Sequence, residues 1–280
     1  MGRALLPLLL LLAAPAKPAG TAASEIDRAL GYLYNFEFSA THDALDQVIA
    51  KHPEDPLGYS MRSAAYLFHE LDRLGILEAE FFADDKRIIE RKRLKPDPMI
   101  RTAFFRSTVE AQARANSALA RNSEDTNALF SMCITQGLLS DYVALVEKRP
   151  FGSLSYAKRA YAFARRVLRR DPNFHDAYLS TGITEYLVGN LPFIIRWLVR
   201  FDDVKGSKQT GIQNLQLVSR SGHYFRPFAK ILLAVINIRE KNPSESERLL
   251  AELAHDYPRN RLIRKELDKL RANLQPVGGQ

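Results

Sequence analysis

The chain holds a single cysteine, Cys133, among its 280 residues, so no intrachain disulfide can form and stability has to come from packing. That thiol lies between Met132 and Ile134 with no histidine nearby in sequence, the setting of a small buried hydrophobe rather than of a nucleophile. Glycine is scarce and scattered, and the Val-Thr-Ile alternation that marks strands is missing. Long runs rich in Ala, Leu, Arg, Glu and Lys instead predict an all-α protein.

Reactive constellations are equally thin. The six histidines, His42, His52, His69, His175, His223 and His255, include no pair at i, i+4, and His69-Glu70 lacks the second histidine of a zinc-protease helix. A phosphate-binding glycine loop, a Gly-x-Ser-x-Gly elbow and a Cys-x-x-Cys pair are all missing. Adjacent carboxylates, Asp84-Asp85 and Asp202-Asp203, sit in charged segments where solvated acids are the usual explanation. An enzyme is therefore disfavoured, and no catalytic residue, cofactor or metal is expected. No Asn-x-Ser/Thr acceptor is usable, since Pro243 follows Asn242; that suits a bacterial envelope protein better than a eukaryotic secreted one.

What is present begins with MGRALLPLLLLLAAPAKPAGTAA. Arg3, the apolar run Ala4 to Ala14 and the small residues around Ala16 and Ala22-Ala23 read as a secretory signal over residues 1–23. The run is shorter than the roughly 20 residues of a spanning helix, and an uncleaved anchor in the inner membrane is the lesser alternative. The expected location is the periplasm or cell envelope. Formal net charge is +8, and loss of Arg3 and Lys17 with the signal would lower it to +6. Nucleic acid is disfavoured as a partner, for want of interleaved aromatics. Arg165, Arg166, Arg169 and Arg170 repeat at i, i+4 and could meet anionic lipid, a cell-wall polymer or an acidic protein, although a solvated outer face is the default.

Punctuation organises the rest. Helices close before His52-Pro53, Asp171-Pro172 and Tyr257-Pro258, and Ser123-Glu-Asp125 caps another. Within Asp171–Gly189, Ala177, Tyr178 and Gly182 combine small residues, which let a neighbouring backbone approach, with an aromatic that fills the adjoining gap. Ala29, Tyr32, Leu45, Val48 and Pro53 repeat the pattern, with Thr41 in place of an alanine. These positions resemble the tetratricopeptide (TPR) repeat, a helix-turn-helix unit of about 34 residues that stacks into solenoids. The resemblance implies a right-handed α-solenoid over residues 24–275, of about five helix pairs. A polar C-terminal helix, Asn260 to Leu274, would cap the last repeat, and residues 276–280 form a loose tail.

Two insertions interrupt the pairs. Residues 76–98 carry Phe81, Phe82 and a mixed charge run that reads as a solvated face or loop. Residues 190–209 carry FIIRWLVRF, whose Phe193, Ile194, Trp197, Leu198 and Phe201 share one helical face. It reads as a lid packed on the solenoid, with a membrane-surface helix through Phe193–Phe201 as the alternative. The Leu191-Pro192 and Arg196-Trp197-Leu198 pattern resembles insertions in secreted bacterial TPR proteins, which imply architecture and no catalytic residue.

The resemblance further implies a concave groove lined by the first helices of successive pairs. Leu30, Leu33, Tyr34, Ala64, Leu67, Phe68, Phe130, Ile134, Leu138, Leu179, Ile183, Tyr186, Ile231 and Val235 fall on that line. Scarcely a charge interrupts it, which disfavours clamping of a terminal carboxylate. Three possibilities stay open: an apolar helix or extended peptide of a protein partner, a lipid-like ligand, or insertions that fold over and plug the groove. The functional expectation is a non-enzymatic interaction scaffold; the alternative is a periplasmic carrier of an apolar ligand.

Overall fold

The computed structural model describes residues 22–77, 94–190, 204 and 206–274. Residues 1–21 of the expected signal, most of the first insertion, the FIIRWLVRF segment and the tail lie outside the described residues.

Eleven α-helices and no strand occur among the described residues: α1 Ala22–Tyr34, α2 Phe38–Lys51, α3 Pro56–Arg73, α4 Pro98–Arg121, α5 Thr126–Asp141, α6 Pro150–Arg170, α7 Tyr178–Asn190, α8 Lys208–Ser221, α9 Arg226–Arg239, α10 Pro243–Asp256 and α11 Arg261–Leu274. Local chemistry sets several of their starts. The Asp55 carboxylate accepts the Leu57 N–H and Pro56 follows at the first helical position; Asp97 with Pro98 repeats the device in α4. Asp125 caps α5 and the Ser207 hydroxyl caps α8. Each such cap satisfies backbone donors that the first turn leaves without an intrahelical partner.

Consecutive helices pack as antiparallel pairs, α1/α2, α3/α4, α5/α6, α7/α8 and α9/α10, and α11 follows. Pairs stack through the second helix of one and the first of the next, and α3 also packs on α5. The result is an all-α solenoid of helix pairs. The long connection after Leu139 is a five-residue π-helical stretch, Tyr142–Val146, that continues α5. Thr126–Val146 is long and apolar enough to span a bilayer, yet 72% of its window is buried inside the protein, as expected of a core helix.

Small residues set the closest approach, between α7 and α8. A Cβ on Gly182 would lie 3.1 Å from the Gly211 carbonyl oxygen, and one on Gly211 would lie 2.5 Å from the Tyr186 nitrogen. Gly182 is thus one of two facing glycines. Thr41, the departure from the repeat pattern, is fully buried and donates its hydroxyl to the Glu37 carbonyl at 2.9 Å.

The solenoid is closed head to tail. Asn260 donates from its side-chain amide to the Tyr34 carbonyl at 2.8 Å, and the Tyr34 hydroxyl donates to the Tyr224 carbonyl at 3.0 Å. The Tyr34 and Tyr257 rings lie 5.3 Å apart. Outside this core, Arg259 pairs with Glu37, Arg261 with Asp72 at 2.6 Å, and His223 with Asp27 at 2.8 Å. Phe36 takes φ +62°, a left-handed backbone that costs a bulky residue about 1–3 kcal/mol, and its ring packs against the C-terminal core. The expected C-terminal helix, α11, packs on α10, and Asn260 just before it reaches back to the first repeat.

Candidate functional site

The expected groove residues divide into two groups. Leu30, Leu33, Tyr34, Ala64, Leu67, Phe130, Ile134 and Leu138 are buried, and Phe68 is half-buried, all in one continuous core. This part of the line is filled. The filling comes from the connection before α7, from the turn that enters α9 and from α9 itself: Phe130 faces Phe174 at 4.7 Å, Phe225 at 5.9 Å and Tyr224 at 6.3 Å between ring centroids. Phe68 meets Phe228 edge-on at 5.5 Å. Tyr224 precedes α9 and is half-buried, its ring turned towards Phe130.

A buried carboxylate holds that turn in place. Asp176, 4% exposed, accepts the backbone N–H groups of His223 at 2.9 Å, Tyr224 at 3.1 Å and Phe225 at 2.8 Å. Charge-assisted bonds of this kind contribute about 1.5–3 kcal/mol each. Sequence reasoning passed over Asp176 and stopped at the packing residues Ala177 and Tyr178. A signal was available in the His223-Tyr224-Phe225 run after Gly222, because a turn with this many rings has to bury them and its N–H groups then need acceptors.

The second group is less enclosed. Leu179 and Ile183 on α7, and Ile231 and Val235 on α9, are half-buried against the C-terminal core, beside buried Tyr186. One turn on from Ile183, Leu187 is 54% exposed. Leu77, the last described residue before 78–93, packs against both cores. The apolar line is thus sealed along α1, α3 and α5 and accessible along α7 and α9.

Burial also governs the ionisable groups. It pushes the Cys133 thiol up to about 12, which keeps it protonated and unreactive, and pushes the Tyr224 hydroxyl up to about 12. Burial raises Tyr34, Tyr186 and Tyr257 above the ordinary phenol value as well. Glu185 accepts the Tyr161 hydroxyl at 3.1 Å and the Ser207 N–H at 3.0 Å. Glu70, beside the rejected zinc-site histidine, holds Arg73 at 2.8 Å and the Asp97 N–H at 2.8 Å. Both buried acids therefore brace helix starts. Among the described residues no group of three or more His, Cys, Asp or Glu could hold a metal ion.

A second surface feature lies at the head-to-tail seam, a cavity of about 430 Å³ lined by Asn35, Phe36, Phe38, His69, Asp72, Arg73, Arg259 and Arg261. Phe38 stacks on His69 at 4.6 Å. Its arginines are already paired with Glu70, Glu37 and Asp72.

No family profile matches the chain, and no curated protein does. Among solved structures, a thermophilic TPR protein from Thermus thermophilus is similar at a TM-score of 0.45 and 12% identity, over 89% of this chain and 99% of that one. The geometry of the chain itself defines its class: an all-α, TPR-like protein of stacked helix pairs.

Proposed function

We propose that the protein is a non-enzymatic interaction scaffold of the bacterial periplasm or cell envelope, and that it binds an apolar segment of a protein partner along α7 and α9. The observation that carries this reading is the contrast along the concave line. Phe130 is 1% exposed at the sealed end, whereas Leu179, Ile183, Ile231 and Val235 keep accessible surface at the other. Contiguous accessible apolar side chains on an otherwise well-packed protein favour a partner. The opening signal-like segment supports export.

Two substitutions separate the roles. Phe130→Glu buries a charge inside the ring cluster and is expected to abolish cooperative unfolding. Ile183→Glu leaves the fold intact and is expected to lower partner capture from envelope extracts at least tenfold. An Ile183→Glu protein that folds and captures the same partner equally well would place binding on another face. Capture of lipid-like material in place of protein by the native chain would favour the carrier reading. Export is tested by N-terminal sequencing of envelope-fraction protein: a new terminus within residues 17–24 is expected, and an intact Met1 on cytoplasmic protein would contradict it.

A further inference from the structure

The outer face of α6 is charged with one sign. Its 21 residues carry Lys158, Arg159, Arg165, Arg166, Arg169 and Arg170 and no carboxylate. At 100° per residue these cations share a sector with Phe151, which is 83% exposed at the head of the helix. Of its buried residues, Ser153, Ala160, Ala164 and Val167 occupy the opposite side, and Tyr161 lies at the edge beside Arg165. Arg166 is tied to Glu124 at 3.2 Å and Arg159 to Gln136 at 2.6 Å. Arg165 bonds the Tyr161 hydroxyl, and neither it, Arg169 nor Arg170 has a carboxylate within ion-pair distance among the described residues. The helix dipole favours Arg169 and Arg170 in the last turn, and Arg165 adds a further exposed cation one turn upstream. The flanking second helices continue the pattern: α4 has four arginines against Glu110 alone, and α8 has Lys208 and Arg220 with no acid. By contrast α10, at the end of the row, has four carboxylates against Arg248.

We infer that the α6 face docks the protein on an anionic lipid surface. Charge complementarity selects an anionic partner, and Phe151, exposed in the same sector as the cations, favours a lipid surface among anionic partners. This is the second helix of its pair, and its cationic residues Arg165, Arg169 and Arg170 are exposed. A bilayer presents a flat sheet of negative charge over the roughly 30 Å length of the helix. Phe151 is placed to enter the headgroup region as the arginines meet the phosphates.

Flotation of the full chain with phosphatidylcholine vesicles, with and without phosphatidylglycerol, tests the inference. The native protein should bind the anionic vesicles preferentially, and added salt should weaken binding. The variant Arg165→Gln/Arg169→Gln/Arg170→Gln, whose exposed substitutions should leave the melting temperature unchanged, should lose about 100-fold in binding. Phe151→Ser should remove the part of binding that resists salt. Unchanged vesicle binding by the triple variant would overturn the inference and assign binding to other segments. Equal binding to neutral vesicles, no binding at low salt, or binding to soluble polyglutamate in preference to vesicles would overturn it too, the last in favour of an acidic protein.

Discussion

At the residue scale, the buried polar groups show how one site serves architecture instead of chemistry. Asp176, Glu185 and Glu70 each accept a backbone N–H that would otherwise be stranded at the start of a helix or turn. His42 behaves differently. It stacks on Tyr66 at 4.1 Å, neither ring nitrogen has a hydrogen-bond partner, and burial, reinforced by His69, holds its pKa down to about 4. The unfolded imidazole has a pKa of about 6.5 and takes up its proton first as the pH falls. The neutral buried ring therefore contributes stability that is complete above about pH 6.5 and is lost progressively towards pH 4. His42→Phe keeps the stack and removes the titration. The drop in melting temperature between pH 7 and pH 5 should be smaller for this variant than for the native chain; an equal drop would mean that His42 does not titrate in this window.

At the element scale, the helix pairs were legible because their signals are local. Asp55-Pro56, Asp97-Pro98 and Asp125 mark starts through caps, His52-Pro53 and Asp171-Pro172 mark ends, and apolar spacing marks the packed faces. Gly182 was legible as a close-approach residue. Its counterpart Gly211 lies 29 residues on and is recognisable only once α7 and α8 are placed together. This contact yields a paired prediction. Gly211→Ala drives a methyl group into the α7 backbone and should destabilise the protein by about 1–3 kcal/mol. Gly137→Ala, in α5 with open space around the added carbon, should instead stabilise by up to about 1 kcal/mol, because alanine is the better helix former. Chemical denaturation of both variants checks the sign of each change. A stable Gly211→Ala protein would mean that α7 and α8 pack less closely than described.

At the scale of the whole molecule, repeat patterning shows which helices are neighbours in sequence but cannot show whether a stack stays open. The expected groove residues lie on first helices, yet Phe130 is core and Phe68 packs against it, because Tyr224, Phe225 and Phe228 reach them from far along the chain. Contacts between residues so distant in sequence, 190 positions for Tyr34–Tyr224 and 226 for Asn260–Tyr34, leave no periodic trace. Head-to-tail closure is the central claim, and Asn260 tests it most directly. Its side-chain oxygen caps α11 by accepting the Leu262 and Ile263 N–H groups, while its amide donates across the seam to Tyr34. Asn260→Asp keeps the cap and deletes the donor. Hydrogen exchange measured along the full chain should then show faster exchange of the amides of α1, at the opposite terminus, with α11 still protected. Unchanged exchange in α1, with any effect confined to α10 and α11, would contradict closure and leave the first and last repeats as separate ends of an open stack.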